Sequence, residues 1–118
     1  IQWQPYTPDA FETARATGKP VLVEFSAAWC LNCKYVEQTV YHDPRTVEAL
    51  HRLDIIPFRA DLTDEDSVGQ HLLDQLGGTG IPFTAIYLPG ASKPTTIESI
   101  YTTETLLKLL DASSPRSG

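Results

Sequence analysis

Val21-Leu22-Val23-Glu24-Phe25-Ser26-Ala27-Ala28-Trp29-Cys30-Leu31-Asn32-Cys33-Lys34 is the stretch on which the fold reading turns. Its first five residues are β-branched, aliphatic or aromatic except for Glu24, which predicts a short buried strand. A helix is expected from Cys30 to about residue 41, so the two cysteines fall at a strand-to-helix junction.

Outward from this stretch, Thr7-Pro8-Asp9 reads as a helix start, with Thr7 as N-cap and Pro8 in the first turn, and Gly18 ends that helix after residue 17. Asp43-Pro44 starts another helix by the same logic, running through residue 50. A second strand is expected over 54–60, with Pro57 at its start or at a bulge. Thr63-Asp64-Glu65-Asp66 has the capping-box pattern and predicts a helix up to Leu76, broken by Gly77-Gly78-Thr79-Gly80. Strands are expected over 83–88 and 95–101, antiparallel to each other, and a last helix over 103–111. Strands alternating with helices and closing on a hairpin define an α/β layered domain. Residues 1–118 are read as one domain with 113–118 as a loose tail, and no internal repeat or low-complexity segment is visible.

The bulk numbers narrow the function classes. A chain of 118 residues with 42% hydrophobic and 20% charged residues can bury a core without staples. A net charge of −6 and a pI near 4.8 leave no basic footprint for nucleic acid. No apolar run is long enough to insert this segment into a bilayer. The start at Ile1 lacks the basic-then-apolar pattern of a signal peptide and fits a processed chain or a piece of a longer one. Partners are therefore expected among proteins and small thiols.

Disulfides stabilise chiefly by closing loops in the unfolded chain, and a bridge from Cys30 to Cys33 closes almost none. Thiol–disulfide exchange explains the spacing better. It needs an ionised thiol that attacks and a second thiol within reach to release what the first captures. A helix N-terminus favours negative charge and lowers the pKa of the first cysteine. Cys30 is the expected nucleophile and Cys33 the expected resolver. A zinc half-site would need two more ligands, and His42, His51 and His71 are not at ligand spacing. Two ordinary core cysteines fit a junction poorly.

Glu24 lies six residues before Cys30. Either it is buried, with a raised pKa suited to moving the proton of Cys33, or the strand's other face is wet and it is merely solvated. Glu37 falls one turn after Cys33 on the same helix face, as a solvated residue or as a charge that disfavours the thiolate. Trp29 either shields the cysteines and meets partners or packs in the core. Two patterns are set aside: the glycine run is followed by Ile81-Pro82 rather than a phosphate-loop lysine, and Asp61 to Asp66 lacks the features of an EF-hand loop.

The stretch quoted first, with Trp29 before Cys30 and Lys34 after Cys33, resembles the active-site region of the thioredoxin superfamily, and Gly80-Ile81-Pro82 resembles its cis-proline loop. Gly18-Lys19-Pro20-Val21, Glu37, His42-Asp43-Pro44-Arg45 and Ala60-Asp61-Leu62-Thr63 narrow the resemblance to the C-terminal periplasmic domains of the DsbD family of bacterial thiol:disulfide interchange proteins. What that implies is a thioredoxin fold, with a mixed sheet of four to five strands flanked by helices. The implied activity is that of a protein-disulfide reductase with no cofactor beyond its redox-active cysteines. Glu24 and Glu37 would join the cysteines as its catalytic residues, Glu24 moving the proton of Cys33 and Glu37 acting on that thiol by its charge. Trp29, Ile81, Pro82 and Phe83 would be its partner-binding residues, with a cis bond before Pro82, and Tyr35 and Lys34 nearby. The implied partners are the membrane-embedded and N-terminal domains of the same protein, in a periplasmic setting tethered to the inner membrane. Leu31-Asn32, Glu24 and Phe83 depart from the family's usual small dipeptide, Asp and Thr. Two rivals remain at this level: a free-standing periplasmic thioredoxin-like reductase or oxidase, and a module binding a soft metal such as Cu(I).

Overall fold

Five strands and five α-helices alternate in the computed structural model, which describes residues 1–64 and 67–111. The expected loose tail at 113–118 and the Glu65-Asp66 part of the expected helix cap lie outside the described residues. β1 (Gln4–Pro5), β2 (Val21–Ser26), β3 (Ile56–Asp61), β4 (Phe83–Tyr87) and β5 (Thr95–Glu98) form one sheet in the order β1-β3-β2-β4-β5. β3 runs parallel to β1 and β2, whereas β4 is antiparallel to β2 and β5 to β4. This is the mixed sheet expected for a thioredoxin fold.

β2 sits at the centre, and its first five residues are buried. Side chains alternate along a strand. Val21, Val23 and Phe25 therefore enter one core with Phe58, Phe83 and both cysteines. Leu22 enters the other, with Val40, Leu50, Ile86 and Leu106. Each such buried side chain contributes about 1.5–3 kcal/mol of transfer free energy, so the end of β2, where the cysteines follow, is among the most firmly held backbone in the molecule.

α1 and α3 start where the caps predict. Thr7 Oγ1 accepts from Ala10 N at 3.1 Å to open α1 (Pro8–Ala16), and Asp43 accepts from Arg45 N at 2.9 Å to open α3 (Pro44–Arg52). α2 (Leu31–Val36) widens into a π-helical segment, Glu37–Tyr41. α5 (Thr103–Asp111) has the expected bounds.

Four local readings need correction. β5 ends at Glu98 rather than residue 101, because Ser99 turns the chain with φ 67°. α4 (Val68–Gln75) begins later than the Thr63 capping box predicts, because Ser67 is its cap, accepting from Gln70 N at 3.1 Å. β3 begins at Ile56 rather than residue 54, since Asp54 turns the chain with φ 56°. Ile56 N donates toward β2, to Pro20 O at 2.9 Å. Strand alternation then points the nitrogen of Pro57 toward β1, which pairs only from Phe58 onward, so the missing N–H leaves no gap. Finally, β1 was not anticipated; two residues carry too little pattern to read.

Candidate active site

Cys30 is the N-cap of α2, with extended backbone, and its sulfur accepts a hydrogen bond from Cys33 N at 3.1 Å. The free amide of the helix start thus points at the leading sulfur, and it would hold a thiolate there more strongly than a neutral thiol. The two cysteines are joined as a disulfide. They are nearly closed to solvent in this state, Cys30 5% and Cys33 3% exposed, so the expected difference between them is small. The surface around them is different: Trp29 is 65% and Leu31 77% exposed, and Tyr35 stands out one turn further on. Trp29 is therefore a surface residue, not core.

The loop before Cys30 is pinned from two sides. Ala28 N donates to Thr63 Oγ1 at 2.9 Å, and Lys34 Nζ donates to Ala28 O at 2.7 Å. Thr63 in turn donates to Asp61 Oδ1 at 2.5 Å, which lowers the pKa of Asp61. Thr63 thus serves the cysteine loop instead of capping a helix.

The Ile81-Pro82 bond is cis, as the resemblance implies. Pro82 leads into β4, whose Phe83 and Thr84 lie opposite Phe25 and Glu24 of β2, so this loop shares the sheet end with the cysteines. Ile81 packs against the core cluster that contains both of them. Phe83 corrects an expectation. It is buried with its ring 5.5 Å from that of Phe25, so it offers no side-chain surface to a partner. The chain is tight just before: a Cβ on Gly78 would lie 3.0 Å from Phe83 Cε2 and closer still to Leu73, which only glycine avoids.

A cleft of ≈300 Å³ opens beside the second cysteine, lined among others by Cys33, Lys34, Glu37, Arg59 and Asp61. Glu24 is not among its lining residues. It is 2% exposed, which removes the wet-face alternative, and it is bonded to a residue that does line the cleft. Arg59 Nε donates to Glu24 Oε1 at 3.0 Å, and Arg59 Nη2 donates to Glu37 Oε2. Burial pushes the Glu24 carboxyl up to about 7; Arg59 pulls it down, and the nearby Glu37 charge adds to the rise. Glu37 reaches outward to His42, whose Nε2 lies 3.8 Å from Glu37 Oε1. Inward of Glu24 stands a run of buried hydroxyls: Thr84 Oγ1 and Tyr101 OH are 2.8 Å apart, and Tyr101 OH bonds Tyr41 OH.

The structure thus brings Cys33 and Glu37 to one cleft, with Glu24 behind Arg59. Sequence reasoning missed Arg59, although a lone base in β3 beside a lone acid in β2 was a visible signal. It also missed Trp3, whose ring covers the Arg59 guanidinium at 4.5 Å, and Thr63 in its actual role. His42, weighed as a metal ligand, sits instead against Glu37. Among the described residues, no group of three or more His, Cys, Asp or Glu is placed to hold a metal ion, and no helix is long and apolar enough to cross a membrane.

A cysteine pair bridging the first turn of a helix, at the end of the central strand of a mixed sheet and at the same sheet end as a cis-proline loop, defines a thiol–disulfide oxidoreductase that carries electrons on its own two sulfurs. A thioredoxin-like family model matches residues 2–89, and the chain belongs to that family. It is 38% identical over 73 residues to the thiol:disulfide interchange protein DsbD of Pseudomonas fluorescens, covering 62% of this chain and 12% of that protein. It is 32% identical over 103 residues to DsbD of Ralstonia nicotianae, covering 86% of this chain and 17% of that protein. The chain therefore spans less than a fifth of these relatives' length. The oxidised DsbD C-terminal domain of Neisseria meningitidis superposes with a TM-score of 0.70 at 20% identity, covering 97% of this chain and 100% of that one, a likeness of fold.

Proposed function

We propose that this domain relays electrons as the C-terminal domain of a DsbD-type transmembrane reductant transporter, on the periplasmic side of a bacterial inner membrane. In this reading the Cys30 thiolate attacks a partner's disulfide, a mixed disulfide forms, and one partner sulfur leaves as a thiolate. Cys33 loses its proton and attacks Cys30 Sγ, which frees the second partner thiolate and leaves the Cys30–Cys33 disulfide. Two electrons pass to the partner, which takes up two protons. The membrane-embedded domain of the same protein then reduces the pair by the reverse exchange, and its N-terminal domain is the partner served. Glu24 takes the proton of Cys33, and the charge of Glu37 in the same cleft disfavours the thiolate there. Trp29, Ile81 and Pro82 form the docking edge, where Ile81 backbone groups pair strand-like with an incoming segment.

The observation that carries the reading is the amide of Cys33 donating to Cys30 Sγ at 3.1 Å, between the exposed Trp29 and Leu31. The DsbD relatives support the choice of parent protein. The test is trapping with Cys33→Ala, which leaves the first exchange intact and blocks release. A defined periplasmic protein domain held through Cys30 is the expected product. Capture of no thiol protein would overturn the relay. A chain lacking a multi-helix hydrophobic segment upstream would turn the reading to a free-standing reductase or oxidase.

A further inference from the structure

The turn that delivers Trp29 and Cys30 is held by side chains rather than by burial. Cys30 N donates to Ala27 O at 3.1 Å, which closes a β-turn with Ala28 and Trp29 at its two corners. Both corners are exposed, so packing does little to fix them. Instead Ala28 is gripped at both of its backbone groups, from different elements. Its N–H reaches Thr63 Oγ1 at 2.9 Å, in the connection that leaves β3, and its carbonyl accepts from Lys34 Nζ at 2.7 Å, in α2. The Thr63 grip has a fixed polarity. Asp61 Oδ1 accepts from the Thr63 hydroxyl at 2.5 Å and from Thr63 N at 2.9 Å, so the hydroxyl proton is committed to the carboxylate and a lone pair is left facing Ala28 N. Leu62 N donates to Ser26 O at 2.7 Å, which lays this connection beside the end of β2.

We propose that Thr63, set by Asp61, is a positioning residue of the exchange reaction: it holds the Ala28–Trp29 turn in the shape on which a protein disulfide docks, and so favours protein disulfides over small ones. The proposal rests on the exchange reading above and adds the residue that shapes its docking edge. Trp29 is 65% exposed, and an aromatic side chain on a loose turn would have to be ordered at every encounter, at a cost in binding. A turn already fixed removes that cost for a partner broad enough to reach Trp29. A small disulfide meets the sulfurs alone. Those are held by the helix start, where Cys33 N donates to Cys30 Sγ, and not by Thr63. Loss of the Thr63 hydroxyl therefore separates the two kinds of substrate. Lys34 remains as the second grip, so the turn is loosened rather than released.

The test gives the reduced protein two oxidants, insulin as the protein disulfide and dithiobis(nitrobenzoate) as the small one. Each is run in a single turnover, with loss of the Cys30 and Cys33 thiols read by alkylation and mass. In both cases Cys30 attacks and Cys33 resolves; the two cysteines are oxidised to their disulfide, and the oxidant's disulfide is reduced to two thiols. Thr63→Val keeps the shape of the side chain and removes the hydroxyl. It should slow oxidation by insulin about fivefold, the weight of one hydrogen bond, and change oxidation by the small disulfide less than about twofold. Thr63→Ser, which brings the hydroxyl back, should restore the wild-type rate with insulin. Asp61→Ala, which frees the hydroxyl to turn away, should fall between, and it keeps the test alive if the valine variant does not fold. An unchanged insulin rate in the variants that fold, or equal slowing with both oxidants, would overturn the proposal and leave the exchange reading standing. Wild-type protein that is oxidised by neither would instead sink the exchange reading itself.

Discussion

Two arginines in this molecule each bridge two carboxylates, with opposite outcomes for the acids. Arg45 bonds Asp43 at 2.8 Å and Glu104 at 2.9 Å on the surface, tying the start of α3 to the start of α5. Arg59 bonds Glu24 and Glu37 beside the cysteines. The hydrogen bonds from the Arg45 side chain, and then from its backbone N–H, pull Asp43 down to about 2, whereas Glu24 stands at about 7 in spite of its arginine. The difference lies in the surroundings. The Arg45 side chain is 56% exposed, while Arg59 is 33% and its partner Glu24 only 3% exposed. Removing water from a carboxylate costs more than one partly wet guanidinium returns. The exposed cluster therefore fastens two helices, and the buried one holds a carboxyl that can change protonation near neutral pH, as a proton acceptor requires.

The widest separation between the clusters should appear in stability against pH. A carboxyl whose native pKa is raised binds its proton more tightly folded than unfolded. Between pH 4.5 and about 7 the folded chain keeps the Glu24 proton that the unfolded chain has lost, so stability falls as pH rises through that window. At ~1.4 kcal/mol per pH unit the loss is about 3 kcal/mol. Urea unfolding of wild type and Glu24→Gln from pH 4.5 to 8 should show it in wild type alone; parallel curves would put Glu24 in water. Asp43 has the opposite sign: its contribution is present above pH 3.8 and is lost as pH falls toward 2.

Next in size is Arg59→Ala, which strands Glu24. At pH 8 it should cost about 2–3 kcal/mol by urea unfolding, short of the ~3–5 kcal/mol of a fully buried pair because Arg59 is partly wet. Its cost should shrink at pH 6, where Glu24 takes up a proton. An equal cost at both pH values would mean lost packing rather than lost charge.

On the reaction, Glu24→Gln should slow the resolution of a mixed disulfide about tenfold at pH 7. That is below the ~10²–10⁴ of a sole acid–base group, since Glu37 lines the same cleft as Cys33. An unchanged rate would remove Glu24 from proton transfer. Asp43→Asn, in the exposed cluster, should leave the rate unchanged.

The smallest effect belongs to Arg45→Gln. It should lower the thermal midpoint slightly in low salt and less in molar salt, where the screening length falls to ~3 Å.

How much was legible beforehand follows the same division. The Thr7-Pro8 and Asp43-Pro44 caps, the apolar run of β2 and the Phe83 strand gave themselves away because their signals lie within a few residues of one another. The Thr63 box misled: the same hydroxyl that could cap a helix satisfies Ala28 N across 35 residues. Phe83 misled too, because its position beside Pro82 suggested a contact surface and the fold turned its ring inward.

By itself the sequence determined the cysteine pair at a helix start, the α/β order and the acid six residues ahead of Cys30, all set by local spacing and backbone preference. Only the tertiary structure decided what surrounds that acid. Burial, the parallel register that sets Arg59 beside Glu24 and the short edge strand beside which Trp3 covers Arg59 depend on segments brought together from across the chain. The desolvation that tunes a carboxyl exists only once those segments have met and excluded water.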